Sequence, residues 1–437
     1  MKFNGRILFL GTEPGAVASQ LRGQALSLVE AGPLRSDIST DEITPLPILL
    51  NYDARLARYA HTGTMIGDEK PIGENAIADG GFSVIVAGKR YGKGSSREHS
   101  PLAEKSAGIR LVIAQSFERI YRQNCDNLGI FTSSDFGLIE RIRAGENIAL
   151  EELLAGRDTL AQAILRAGGL LAYGQDKLKG ARLRGVMPDG PLTLAQKIVA
   201  RHALNVEGID WDLSPGSGGF VRAGHRFIHE YYTAMAAHML HDRFGKPLTL
   251  FDPKTIILFE DHLSYAHRSP THLKLGLLPQ VHELSEAHRA FGKNYGLTDH
   301  GYLMGEEGSE GISHAMMAES YALPGGIVVG TDSHTCALPI YTPHSGAVGC
   351  FAYGVGTTDM ANAFMTGAIR LTMAESLRVR LEGMLRPDVM AKDVVLKLLS
   401  TDLIRSGGGL GRIFEFTGPV VDAMSIDERA TLTNMVA

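Results

Sequence analysis

Cysteine is scarce in this chain. There are three in 437 residues, Cys125, Cys336 and Cys350, with no Cys-x-x-Cys pair. That spacing excludes a disulfide framework and a zinc knuckle, and taken alone it describes three free thiols. No apolar run approaches the ~18 residues of a membrane span. Residues 1–5 lack the basic stretch and apolar core of a secretory signal. The expectation is a soluble, cytoplasmic protein. An excess of one charge is also missing: 43 lysines and arginines face 48 acidic residues, a net −5. Without a basic domain or stripe, composition argues against a nucleic-acid binder. What is present is ordinary globular material, 44% apolar and 21% charged, which excludes a largely disordered chain. At roughly 150 residues per domain the length suggests two or three domains. Fifty-one glycines between short apolar runs suit an α/β enzyme with many tight loops.

Periodicity gives the organisation. Residues 6–10 read as a strand and 16–31 as a helix stopped by Gly32-Pro33. Residues 82–87 form a second strand, followed by a Gly/Ser loop, a helix over about 99–107 and a third strand at 111–114. Strand, loop, helix, strand is the βαβ pattern of a parallel or mixed sheet. The basic, glycine-containing stretch 173–189 reads as an interdomain linker. Thr193 then reads as the N-cap of a new helix, and strands are expected at 255–259 and 326–330. The expected domains are 1–185 and 190–437.

Three segments carry polar side chains in chemically useful patterns. In Tyr91-Gly92-Lys93-Gly94-Ser95-Ser96-Arg97-Glu98-His99, glycines let main-chain N–H groups turn toward an anion, and Arg97 can grip a carboxylate with two parallel bonds. The plain alternative is a glycine turn with a serine cap. Glu260-Asp261-His262 and Gly330-Thr331-Asp332-Ser333-His334 each follow an apolar strand. An aspartate beside a histidine at a strand's carboxyl end can orient and charge an imidazole for proton transfer. With His314 between them, these residues point to a reacting cluster rather than isolated surface pairs.

Together the segments resemble the aconitase superfamily of iron–sulfur hydro-lyases, and most of all its 3-isopropylmalate dehydratase and homoaconitase branch. The resemblance extends over nearly the whole chain. Its motifs include residues 37–45 (Asp-Ile-Ser-Thr-Asp-Glu-Ile-Thr-Pro), Gly94-Ser95-Ser96-Arg97-Glu98-His99, residues 115–129, His229-Glu230 and residues 354–359 (Gly-Val-Gly-Thr-Thr-Asp). It implies an aconitase-like swivel domain over 1–185, a mixed sheet with flanking helices, fused ahead of an incomplete α/β large region over 190–437. The implied activity moves a hydroxyl between adjacent carbons of a di- or tricarboxylic 2-hydroxy acid by dehydration and rehydration, as in leucine biosynthesis. Ser95 would be the base that takes the carbon-bound proton. Ser96, Arg97, His229, Glu230 and Ser333 would bind substrate. Asp261 and His262 would protonate the departing hydroxyl, with His314, Asp332 and His334 completing the hydrogen bonding.

The chain departs from the family in two ways. The intact family member is expected to hold a 4Fe-4S cluster, but the cluster cysteines would lie beyond residue 437, so no metal ligand is assigned and this chain alone is not expected to bind the cluster. The missing part would reside in a longer protein or a separate chain. Second, relatives run Asp-Ser-His directly into Thr-Pro-His-Ser-Gly-Ala; here residues 335–341 intervene before Thr342. Thr335-Cys336-Ala337-Leu338-Pro339-Ile340 is also one translated frame of a common sequencing adapter, so the interruption is expected to be foreign to the gene, the alternative being a genuine surface-loop insertion. The expected partner is a small carboxylate, with no membrane and no nucleic acid. Two other functions stay open: aconitase or homoaconitase activity, and a cluster-free binding or regulatory role.

Overall fold

The structure is a computed structural model that describes residues 1–94, 98–185, 189–301, 309–332, 334–335 and 349–436. The protein is α/β, and the chain divides into two compact units, Met1–Tyr173 and Gly174–Ala437. This division falls earlier than the expected end of the first domain at 185.

The first unit is built on a four-stranded parallel sheet of β1 (Arg6–Phe9), β2 (Phe82–Ala87), β3 (Leu111–Ala114) and β4 (Phe131–Ser133), in chain order across the sheet. Every residue of β2 and β3 is buried. Central strands of parallel sheets are covered on both faces, which is why Phe-Ser-Val-Ile-Val-Ala and Leu-Val-Ile-Ala are almost unbroken apolar runs. Val84, Val86, Leu111 and Ile113 form the centre of the core under Phe9, Phe131 and Leu138. Two helices lie beside this sheet in sequence, α1 (His99–Ser106) and α2 (Arg119–Leu128). The helix expected over 16–31 is shorter, Pro14–Leu21. Gly23 takes a positive φ of 109°, a backbone state that ends a right-handed helix.

The expected linker is a second correction. Residues 174–178 form a π-helical turn inside the second unit. A Cβ on Gly174 would fall 1.9 Å from Asn362 Oδ1, so the chain is packed there rather than free. Arg182–Leu183 then pairs antiparallel with Leu204–Asn205. Helix α3 (Leu194–His202) starts as expected at Thr193, with a reciprocal capping box to Gln196.

The second unit holds a five-stranded parallel sheet. Its strands are β5 (His225–His229), β6 (Ile256–Phe259), β7 (Thr298–His300), β8 (Ile327–Gly330) and β9 (Phe351–Gly354), in the order β7-β6-β5-β8-β9. Helices α4 (Glu230–Phe244), α5 (Leu278–Tyr295), α6 (Ser313–Ser320) and α7 (Thr357–Thr366) complete the layers. From β5 the chain moves outward through β6 to β7, then returns to β8 and leaves for the opposite edge. The strand order therefore reverses between β5 and β8. Ligand crevices of open α/β sheets lie at such a reversal, outside the carboxyl ends of the strands. A smaller core around Val395, Phe414, Phe416 and Val421 closes the C-terminal segment. No helix among the described residues is long and apolar enough to cross a membrane.

Candidate active site

Three carboxyl ends converge on one group of side chains. β5 ends in His229-Glu230, β6 runs into Glu260-Asp261-His262, and β8 runs into Thr331-Asp332. A Cβ on Gly330 would fall 2.3 Å from the Phe227 ring, so the exit from β8 requires glycine.

His262 is the centre of the group. Its Nδ1 lies 2.7 Å from Asp261 Oδ1 and its Nε2 3.0 Å from Asp332 Oδ2. Burial by itself disfavours the imidazolium, but the bonds to Asp261 and Asp332 outweigh it and raise His262 to about 10. Both carboxylates respond in the opposite sense. Burial pushes each up, yet Asp261 is held well below the usual range by His262 and the Ser313 N–H, and Asp332 by His262 and His314. Asp261 Oδ2 accepts the Ser313 main-chain N–H at 2.7 Å, which places a negative charge on the first turn of α6, where the helix dipole favours it. Asp332 Oδ1 accepts the His334 N–H at 2.6 Å and faces His314 Nε2 at 3.2 Å and His334 Nδ1 at 3.4 Å. One carboxylate thus gathers three histidines. Glu260 is diverted from this chemistry, since Arg289 grips both its oxygens at 2.9 and 3.0 Å.

Beneath His262 lie His229 and Glu230. The rings of His229 and His262 stack at 3.7 Å, 8° from parallel. Burial, and then the charge of His262, push His229 well below the ordinary imidazole value. Burial raises Glu230 to about 7. These two residues and His262 bring three ligand atoms within 4.8 Å of one another. They do not fit a metal ion. An imidazole nitrogen directs its lone pair in the ring plane, so parallel stacked rings cannot both aim at one ion, and both His262 nitrogens already face carboxylates. Glu230 Oε2, His314 Nδ1 and Thr331 Oγ1 are buried with no hydrogen-bond partner among the described residues. Unmet buried polar atoms are rare in folded proteins and mark a site for a polar ligand or water.

In the first unit, the described flanks of the Gly/Ser loop are fixed firmly. The Gly92 and Lys93 N–H groups donate to Ile38 O at 2.9 and 3.0 Å, and Thr40 N donates to Lys93 O at 2.7 Å. The segment 37–44 thereby runs alongside the loop's start. Past the loop, Glu104 on α1 is wholly buried and gathers three donors. Tyr91 OH donates to its Oε1 at 2.5 Å, His61 Nε2 lies 3.0 Å from that oxygen, and Tyr121 OH donates to Oε2. Tyr91 precedes the loop and Glu104 follows it, so one carboxylate ties the two flanks together.

Comparison with known proteins agrees at both ends of the chain. The model of the aconitase family (aconitate hydratase) matches residues 234–437, and that of the aconitase C-terminal domain matches residues 68–133. The chain belongs to the aconitase superfamily. Among curated relatives, the 3-isopropylmalate dehydratase large subunit of Desulfosudis oleivorans is 33% identical over 244 residues, 56% of this chain and 49% of that protein. The large subunit 1 of Pyrococcus furiosus is 31% identical over 56% of this chain and 51% of its own length. The chain spans about half the length of these curated relatives. A solved 3-isopropylmalate dehydratase from Methanocaldococcus jannaschii is 30% identical over 32% of this chain and 88% of its own, with a TM-score of 0.25.

Within this superfamily member, the structure brings Asp261, His262, His314, Asp332 and His334 together, with His229 and Glu230 behind them. Ser95, Ser96, Arg97 and Ser333 lie outside the described residues. His229 and Glu230 are 3% and 0% exposed, so neither presents an open face to a ligand. Two features escaped sequence reasoning. Glu104, His61 and Tyr121 carry no local pattern, and the Arg289 grip on Glu260 spans 29 residues. The iron–sulfur cluster implied by the resemblance needs converging thiolates. Cys125 sits in the first unit, where burial and then Glu104 push its thiol up, and burial pushes Cys350 in the second unit up to about 12. The described cysteines do not fit that group, and Cys336 lies outside the described residues.

Proposed function

We propose that this chain carries the proton-handling part of a hydro-lyase of the 3-isopropylmalate dehydratase type, acting on a di- or tricarboxylic 2-hydroxy acid. The observation that carries the reading is His262 held between Asp261 and Asp332 at the reversal point of a parallel sheet. An imidazole raised to about 10 is protonated at neutral pH, and its Nε2 proton goes to the departing hydroxyl when that oxygen displaces Asp332 Oδ2 as acceptor. Ser95, by the resemblance, takes the proton from the adjacent carbon. The C–H electron pair becomes the C=C bond, the C–O bond breaks, and the hydroxyl leaves as water with the proton from His262. Re-addition of water in the other sense places the hydroxyl on the neighbouring carbon. His314 and His334 bond to Asp332 Oδ1 and hold that carboxylate against His262. Ser96, Arg97 and Ser333 are assigned to the substrate carboxylates on the resemblance, and no step is routed through a cluster. A cytoplasmic setting, and cluster ligands supplied either by a longer form of the protein or by a separate chain, belong to the same reading.

The test uses the chain purified without oxygen, alone and mixed with the C-terminal part of a relative's large subunit. It is offered 3-isopropylmalate, citrate and homocitrate, and alkene formation is followed by ultraviolet absorbance. Water loss from 3-isopropylmalate, abolished by His262→Gln, is expected. No water loss from any of the three, while an intact relative turns over in the same assay, overturns the reading.

A further inference from the structure

His229 and Glu230 lie side by side at the end of β5, and each grips His262 by a different part. Glu230 Oε1 accepts the main-chain N–H of His262 at 2.8 Å and also that of Leu263. One carboxylate oxygen that takes two successive N–H groups fixes the peptide planes on both sides of His262. These donors lie past the end of β6, and a main-chain N–H sheltered from water needs an acceptor. His229 acts on the side chain. Its ring stacks on the His262 ring at 3.7 Å, and is itself held edge-on by Tyr232 at 5.0 Å and Tyr231 at 6.1 Å. An uncharged aromatic face against a charged ring is favourable, and more so when desolvated.

The need for this support follows from the geometry of His262. Its two nitrogens must reach Asp261 and Asp332 at the same time, so the ring can neither tilt nor slide without losing a bond. Asp261 neighbours it in sequence, but Asp332 is 70 residues away. The backbone and the ring must therefore both be fixed from outside the Asp-His dipeptide.

We infer that His229 and Glu230 are positioning residues for His262, Glu230 acting through the main chain and His229 through the ring face, and that neither contacts substrate. The inference rests on the reading of His262 as proton donor, but its test does not depend on turnover. Among the described residues, the ionisable groups that face the ring are Asp261, Asp332, Glu230, His229 and, edge-on at 6.2 Å, Tyr231, with His314 and His334 sharing Asp332.

The experiment is a nitrogen-15 histidine NMR titration of the full chain, with the His262 signals assigned by their loss in His262→Gln. The wild-type imidazolium should persist well above pH 8. Glu230→Ala should lower the His262 midpoint by two units or more, and Glu230→Gln, which keeps an acceptor oxygen, should restore most of it. His229→Ala should lower the midpoint and His229→Phe should preserve it, a pair that reads the same point should Glu230→Ala fail to fold. A His262 midpoint unchanged in folded Glu230→Ala and His229→Ala overturns the inference, as does an ordinary midpoint in the wild type. Normal titration behaviour with no hydro-lyase turnover in the separate assay would instead sink the proposed function and leave the positioning intact.

Discussion

The two units each bury a carboxylate among hydrogen-bonding aromatic and histidine side chains, and the two clusters do opposite things. In the first unit, Glu104 is closed off, with Tyr91, Tyr121 and His61 all fully or almost fully buried around it and every oxygen supplied with a donor. In the second, His262 and His334 keep 30% and 59% of their side chains exposed, and several atoms beneath them have no partner among the described residues. A saturated network rigidifies what it joins; a network with unmet atoms and an open side has capacity left for a ligand. The sheets explain the placement. The first runs in chain order and offers no reversal, whereas the second reverses between β5 and β8 and collects its polar side chains there.

Substituting one residue in each cluster separates their roles most strongly. In the hydro-lyase assay, His262→Gln should cost ~10²–10⁴-fold in kcat, the usual range for a lost proton donor. Glu104→Gln, which keeps the shape of the closed network, should cost far less. Equal losses would mean that the first cluster is also chemical. The next effect is on stability. Glu104→Leu strands Tyr91, Tyr121 and His61 and should destabilise the first unit by about 3 kcal/mol or more. Urea denaturation read by reaction of Cys125, which is otherwise buried beside the network, would measure it.

A third prediction concerns pH and the second unit. His262 is raised from an ordinary value near ~6.5 to about 10, so folding favours its charged form. That contribution is complete below pH ~6.5 and is lost as pH rises through about 10. The single tryptophan, Trp211, is buried in the second unit, so its fluorescence reports that unit's unfolding. Its denaturation midpoint should fall between pH 7 and 10 in wild type and less so in His262→Gln. Parallel curves would place the stabilising charge elsewhere. The smallest effect is chemical: Cys125 and Cys350, with thiols raised by burial, should not react with a thiol reagent at pH 8 until the chain unfolds.

Much of this was legible in the sequence. β2, β3, β6 and β8 were expected within a residue of their observed bounds, because a buried parallel strand is a continuous apolar run between turn residues. The Thr193 cap was legible for the same local reason. The pairing of Asp261 with His262 needed no fold, since neighbours at a strand exit can bond directly. The segment 173–189 misled because glycine and basic residues mark both free linkers and tightly packed turns; only the approach of Asn362 to Gly174 distinguishes them.

The α/β class and the aconitase resemblance could thus be read from local sequence, which also named the candidate residues. The tertiary structure alone decided which of them meet. Asp332 closes the far side of His262 only because β8 lies beside β5 and the connections on either side of that pair diverge. His229 and Glu230 became supports rather than exposed contacts only when β5 was placed at the centre of the sheet. Glu104 met Tyr121 through the packing of α1 on α2, and Tyr91 and His61 reach it from outside those helices. The physical reason is range: strand propensity, caps and neighbouring side chains act over a few residues, whereas strand order is a property of the whole chain.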